Sequence, residues 1–529
     1  MAVTEKGLST RQLGLAMIAG FAAVAVLGVL LRPLIPIDET RYIDVAWEMR
    51  QRGSWFLPLK NFQLYTDKPP MLFWLMNLAW TVTGGVSEFA ARLVGPIFAV
   101  LTLMGTWALG RRLWDDASGA LAAVVLAGMS VFALYGGATM FDTMLSTATL
   151  AGLWAMLSAL AAPGLNRRAW AGLGLALGFG ILAKGPVILF HLGPALAAYA
   201  LWSDPAQRPA GRDIAKGAGL AFGVALALVG LWVVPAAITG GAEYRHMILW
   251  EQTAGRTVQS FAHARPWYWL LATLPLVLFP WVWTPALWSG LRSLRPSDRA
   301  LRLCLVQAGA GFVLFSLISG KQVHYLLPEM PAVALIFGRG LVVSGKSAVR
   351  GLWGALPAAV LAVLLGGGAL GVSLGLWGDA KLSALLHPVA PVVGFALVCA
   401  LLAVAALRQP RAAGMATLGL GLILAAVGLI ATTGLHRAYD AGVIGRQLAL
   451  HQADGVAVVT DRYNDEFDFE GRLFNAIDLP KAEEAAEWLA AHPSGMLAGI
   501  CKKVPLDPTK AEHVYFYGAD WCLWEGKAG

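Results

Sequence analysis

The chain has 529 residues, 57% of them hydrophobic and 14% charged, with a mean hydropathy of +0.63. A soluble domain carries about 25% charged residues, so this composition excludes an ordinary soluble protein. The net charge of +8 does not signal a nucleic-acid partner. The basic residues sit in short loops between apolar runs, where membrane topology accounts for them.

Leu13 to Leu31 is too long for the apolar core of a secretion signal and has no small-residue cleavage site, so it reads as the first membrane helix. A long polar loop, 34–86, follows. Within it Met71 to Thr83 is apolar, but Pro69-Pro70 and Gly84-Gly85 fence it to a length suited to an interfacial or re-entrant helix. Further membrane helices are expected at 87–110, 118–135, 140–161, 169–183, 186–202, 217–237, 267–290, 303–319, 328–344, 351–377, 388–407 and 414–433, making thirteen with the first, placed at 13–33. A second long loop occupies 238–266. With a cytoplasmic N-terminus and 71–83 not crossing, the cytoplasmic segments hold eighteen Lys or Arg and six Asp or Glu. Counting 71–83 as a crossing would put most of those arginines outside, against the positive-inside rule.

The expected architecture is a polytopic α-helical membrane protein with a membrane domain over 1–435 and a small periplasmic α/β lobe over 436–529. The lobe reads as strands at Val456–Thr460, His513–Tyr517 and Trp521–Trp524, with a helix at Ala482–Ala491. Cys304 and Cys399 lie in apolar runs. Cys501 and Cys522 lie in the polar tail, on the oxidising side of this topology, and are expected to form a disulfide.

Ionisable residues at a membrane boundary are costly, and here they gather on one outer rim. The first loop supplies Asp38, Glu39, Arg41 and Tyr42, then Tyr65, Asp67 and Lys68 before Pro69-Pro70. Short turns supply Asp142, Lys184 and the stretch from Lys321 to Tyr325. The second loop supplies Glu251, Arg256, His263 and Arg265. Any one of these alone reads as a solvated loop residue; their collection on one face points to a site.

Asp38-Glu39-Thr40-Arg41-Tyr42, Lys68-Pro69-Pro70, Phe141-Asp142, Lys184-Gly185-Pro186, His263-Ala264-Arg265-Pro266 and Tyr325-Leu326-Leu327-Pro328 occur in the order of a known family. The chain resembles bacterial members of the protein-O-mannosyltransferase superfamily, of the GT-C fold. It is most similar to lipid A aminoarabinose transferases and related lipopolysaccharide sugar transferases, over about Asp38 to Pro331. The resemblance implies a monomeric inner-membrane enzyme that moves a sugar from undecaprenyl phosphate to lipid A or lipopolysaccharide core. A protein hydroxyl as acceptor, or a lipid-sugar transporter without chemistry, are the alternatives.

By resemblance Asp38 and Asp142 are the catalytic carboxylates. Lys68, Arg41, Arg265, Arg256, Lys321 and Tyr325 would bind the donor phosphate. Tyr42 and Tyr65 would face the sugar, and Glu39 stands with them or serves the structure. No cofactor is required; Asp67 and His263 offer two ligands to a divalent metal, too few for a closed zinc site. The tail is shorter than the lobe expected of aminoarabinose transferases, leaving aminoarabinose, a uronic acid or a hexose as the sugar. Tyr463-Asn464-Asp465-Glu466-Phe467 resembles a lobe segment and is assigned no chemistry.

Overall fold

The computed structural model describes residues 8–247, 264–345, 354–409 and 411–526. Among them, seven helices are long and apolar enough to cross a membrane, or eight if one bent pair is a single span. The first, Thr10–Leu31, starts where the Ser9 hydroxyl accepts from the Gln12 amide, satisfying one of the donors a helix start leaves open. Helix occupies every stretch expected to be an apolar helix, including the short Met71–Val82.

Four of those stretches are interrupted, the one expected over 87–110 only at Leu93, between Glu88–Arg92 and Val94–Leu113. The one expected over 118–135 is Asp116–Gly128 and Ser130–Gly136, bent by 74°. Met129 between them is extended, and the Ser130 amide turns aside to the Phe279 carbonyl at 3.1 Å. The 186–202 stretch divides into Ile188–Ala197 and Tyr199–Trp202. The 267–290 stretch becomes Trp269–Val277, a single 3-10 turn Trp281–Trp283, and Pro285–Arg292. Pro280 and Pro285, at the breaks, lack the amide hydrogen that would continue a helix.

Small residues let the helices meet closely. A Cβ at Gly128 would lie 2.5 Å from the Ala416 Cα, and one at Gly419 would lie 1.9 Å from the Gly128 carbonyl oxygen. Helices Asp116–Gly128 and Ala412–Thr432 therefore touch backbone to backbone, the usual means of packing where lipid offers no hydrophobic driving force.

The tail forms a four-stranded sheet in the order Val456–Val459, Met496–Ile500, Ala519–Glu525, Glu512–Phe516. The first pair is parallel and the other two antiparallel. All of Val456–Val459 is buried, as expected for a parallel strand covered on both faces. Cys501 and Cys522 are joined by a disulfide, with their Cα atoms 5.0 Å apart. Ala482–Ala491 is a 3-10 turn running into a helix.

The first loop is not a bare loop. It folds as the helix Asp38–Gln51, a tight hairpin Leu59–Lys60/Gln63–Leu64, and the helix Met71–Val82. Asn61 and Phe62 take the left-handed conformation that a two-residue hairpin turn requires. This unit docks on the C-terminal lobe. Asn61 donates to the Ile477 carbonyl at 2.9 Å and accepts from its amide at 2.7 Å, and the Trp80 ring stacks on Phe469 at 6.1 Å.

Candidate active site

The helix Asp38–Gln51 presents its first turn to the site. Residues three and four apart share a helix face, so Asp38 meets both Arg41 and Tyr42. Asp38 Oδ1 accepts from Arg41 Nη2 at 2.5 Å and from the Tyr42 hydroxyl at 2.9 Å. Asp38 keeps 42% of its side chain exposed while Arg41 keeps 14%. The carboxylate is thus held in place but open to a ligand. The Tyr42 ring packs edge-on against Phe141 at 4.7 Å, joining this helix to the start of Phe141–Ala159.

Asp142 lies in the first turn of that second helix and is buried. Its Oδ1 accepts from Lys184 Nζ at 2.5 Å. Lys184 ends the helix Arg167–Lys184, so its cation also sits where the helix dipole is negative. The Lys184 ammonium lies 4.8 Å from the centre of the Tyr325 ring. His324 packs against Tyr325 at 4.9 Å and Tyr135 at 5.2 Å. Burial lowers the His324 imidazole to about 4, with Asp142 pulling the other way and Lys184 adding to the fall, so the ring is neutral at pH 7.

Lys68, Asp38 and Lys184 all act electrostatically on His324, and Lys68 acts on Asp142 as well. Lys68 stands three residues before the helix Met71–Val82, whose N-terminal partial positive charge adds to the same region. The structure therefore gathers Asp38, Arg41, Tyr42, Lys68, Asp142, Lys184, His324 and Tyr325 into one site from five segments. Three of them are cations and two are carboxylates, a balance that suits an anionic ligand. Tyr65 is buried beside it, its ring 6.4 Å from Phe73.

Two expected ligands are turned to other tasks. Glu39 is 3% exposed. Its oxygens accept from Arg32, from the Ile35 amide at 3.0 Å and from the Thr139 amide at 2.8 Å. Burial alone would raise its pKa, but the charge and hydrogen bonds of Arg32, helped by Arg92, bring it down to about 2. Glu39 is a buried ionised strut and has no lone pair left for a sugar. Lys321 is also buried, its ammonium donating to the Arg265 carbonyl at 3.0 Å and to the Ile318 carbonyl. With the isolated Ala264–Gly320 bridge it fixes the segment that carries Arg265, rather than meeting a phosphate itself. Arg265 is exposed, its guanidinium over the Trp269 ring at 5.8 Å. Glu251, Arg256 and His263 lie outside the described residues, so the Asp67–His263 metal pair has only Asp67 within them. The sequence alone gives Lys184 and His324 no role; the Asp142 contact and the burial that reveal one are three-dimensional.

Residues 67–232 match the family model for dolichyl-phosphate-mannose-protein mannosyltransferases. Nearly the whole chain superposes on ArnT from Cupriavidus metallidurans bound to undecaprenyl phosphate, with a TM-score of 0.74 over 96% of this chain and 97% of that one at 18% identity. The chain has the fold of ArnT. The resemblance to the mannosyltransferase superfamily is carried in sequence by residues 67–232. The archaeal oligosaccharyltransferase AglB from Archaeoglobus fulgidus shares the fold more distantly, with a TM-score of 0.51 at 15% identity over 92% of this chain and 69% of that one. In sequence, the chain is 32% identical over 321 residues to an undecaprenyl phosphate-alpha-4-amino-4-deoxy-L-arabinose arabinosyl transferase of Pseudomonas paraeruginosa. That match covers 58% of this chain and 55% of the relative. A Shewanella sediminis protein of the same name is 27% identical, covering 61% and 58%. The chain spans a little over half the length of the curated relatives it matches. It is a multi-pass helical membrane protein with the fold of ArnT.

Proposed function

We propose that this protein is an inverting glycosyltransferase that takes its sugar from a polyprenyl phosphate, undecaprenyl phosphate in a bacterium. The observation that carries the proposal is one site joining Lys68, Arg41 and Lys184 to a half-exposed Asp38, on a fold shared with an ArnT bound to undecaprenyl phosphate. In such a transfer the acceptor oxygen attacks the sugar's anomeric carbon. The bond from that carbon to the phosphate oxygen breaks, and polyprenyl phosphate leaves with one more negative charge. Lys68 and Arg41, with Arg265 at the rim, stabilise that charge in a partly desolvated site. Asp38 takes the proton of an acceptor hydroxyl. If the acceptor is a phosphate of lipid A there is no proton to take, and Asp38 orients it instead. Asp142 holds Lys184 against the site, and neutral His324 offers a hydrogen bond without adding charge.

The acceptor we favour is lipid A or lipopolysaccharide core, after the resemblance of the membrane portion to aminoarabinose transferases. The same reading gives thirteen spans, a cytoplasmic N-terminus and a periplasmic lobe beginning near residue 436, supported by the arginine bias of the assigned cytoplasmic loops. Mass spectrometry of envelope glycolipids from cells with and without the protein tests the proposal. A glycolipid that loses one sugar mass on deletion supports it; unchanged glycolipids with altered glycoprotein would move the acceptor to protein.

A further inference from the structure

The helix that carries Asp38 bears two more carboxylates, Asp44 and Glu48, one turn apart and therefore on one face. That face meets Asp465 and Asp468 of the C-terminal lobe. All four side chains are completely buried. One oxygen each from Asp44, Glu48 and Asp465 lies within 4.8 Å of the other two.

Almost nothing satisfies them. Among the described residues, both oxygens of Asp44, both of Asp465, Oε1 of Glu48 and Oδ1 of Asp468 have no hydrogen-bond donor. Glu48 Oε2 accepts from the Phe62 amide at 2.7 Å, and the other Asp468 oxygen accepts from the Tyr463 hydroxyl. No ion pair among the described residues reaches the four. The cations nearby are otherwise engaged: Lys60 donates to the Tyr463 carbonyl at 2.6 Å, Arg52 lies over Phe62 and Arg472 over Phe469. Buried carboxylates in this state are costly unless they hold protons or a cation.

We propose that Asp44, Glu48 and Asp465 bind a divalent cation of the hard, oxygen-seeking class, with Ca2+ preferred, which ties the Asp38 helix to the C-terminal lobe. The donor set is all oxygen, which disfavours zinc and its thiol and imidazole preference. Ca2+ binds oxygens at roughly 2.3–2.6 Å, so two oxygens across the ion stand about 4.6–5.2 Å apart, a span the three carboxylates fit; Mg2+ needs a tighter octahedron and keeps more water. Asp468 Oδ1, buried and without a donor, stands outside this group of three. The cation would sit amid the contacts that already join loop and lobe, between the Asn61–Ile477 pair and the Trp47 indole, which donates to the Leu473 carbonyl at 3.3 Å. The inference stands whatever sugar or acceptor the enzyme uses.

The competing state is a cluster of shared protons. Burial, followed by the mutual repulsion of the carboxylates, pushes Asp44, Glu48 and Asp465 upward, so without a cation they retain protons toward neutral pH.

The test uses the full-length protein in detergent, treated with EDTA, desalted, and titrated with CaCl2, MgCl2 or MnCl2. Bound metal is read by mass spectrometry and Tm by tryptophan fluorescence. The His263→Ala variant is run beside the wild type, so that a metal held in the second loop is not counted. Both should bind one Ca2+ per chain and show a saturable rise in Tm, with Mg2+ needing at least about tenfold more. Glu48→Gln should lower the Ca2+ affinity by about tenfold or more. Asp44→Asn/Asp465→Asn should lose the Ca2+ response, yet melt higher than the wild type in EDTA, because amides remove the repulsion. No stoichiometric Ca2+ and no Tm response in wild type would overturn the proposal and leave shared protons as the answer. An unchanged response in the Asn variants would overturn it equally.

Discussion

Removing Lys184 should damage the protein through Asp142. The Asp142 side chain is 2% exposed, and Lys184 is the ion-pair partner that holds its charge, at 2.5 Å. Breaking a buried pair from one side costs about 3–5 kcal/mol, mostly the penalty of leaving a desolvated charge behind. Lys68 shares the region, so Lys184→Met should fall near the lower end, about 3 kcal/mol. Replacing both partners removes the orphaned charge, so Lys184→Met/Asp142→Asn should recover most of that loss while remaining inactive. The assay is thermal unfolding of each purified variant in one detergent, followed by tryptophan fluorescence, with turnover measured on the same preparations. The expected order of Tm is wild type, then the double variant, then Lys184→Met. Equal losses in the single and double variants would refute the charge argument. Full activity in the double variant would make the pair a structural strut only.

Lys68→Ala should weaken polyprenyl phosphate binding and lower turnover by about 100-fold, the usual cost of losing a transition-state charge partner; Lys68→Arg should keep part of both. Unchanged phosphate binding in Lys68→Ala would remove the assignment. His324 should make the fold acid-sensitive. Its folded value of about 4 lies below the ordinary 6.5, so its full stability is present above pH 6.5 and is lost as pH falls from there toward 4, by about 3 kcal/mol in all. Melting His324→Gln beside the wild type between pH 4.5 and 7.5 checks this: the gap between the two curves should change across that window and stay constant above it. Cys501→Ser/Cys522→Ser should cost the lobe about 3 kcal/mol, by the chain-entropy model for a loop of this size. Limited proteolysis should then cut the tail in the variant before the wild type.

The sequence disclosed the helices because an apolar run long enough to span lipid has few other fates. It also placed Asp38, Arg41 and Tyr42 on one outer rim, but as loop residues; the helix Asp38–Gln51, whose spacings of three and four bring their side chains together, is a feature of the fold alone. Adjacent Asp38 and Glu39 carry the same chemical group, but successive helical residues point about 100° apart, so one faces the site and the other is buried on Arg32, the structural role that the resemblance allowed for Glu39. The breaks at Pro280 and Pro285 were visible as residues but were outweighed by the hydrophobicity of the run. Lys321 carried the expected charge in the expected place, and only the fold shows that two backbone carbonyls take it. Asp465 lies in a lobe segment to which the sequence gives no chemistry, and nothing local joins it to Asp44 and Glu48, roughly four hundred residues earlier, a distance at which periodicity carries no information.

The central claim is tested most directly by transfer in vitro. Purified wild type and Asp38→Asn are incubated with an undecaprenyl phosphate-linked aminoarabinose and lipid A, and the products are resolved by mass. Wild type should yield a lipid A heavier by one sugar and release undecaprenyl phosphate, and Asp38→Asn should lose nearly all of both at unchanged Tm. Near-normal transfer by Asp38→Asn would contradict the assignment of the site. Absence of transfer by the folded wild type, from this donor and from those carrying a uronic acid or a hexose, to lipid A, core or protein alike, would contradict the claim itself.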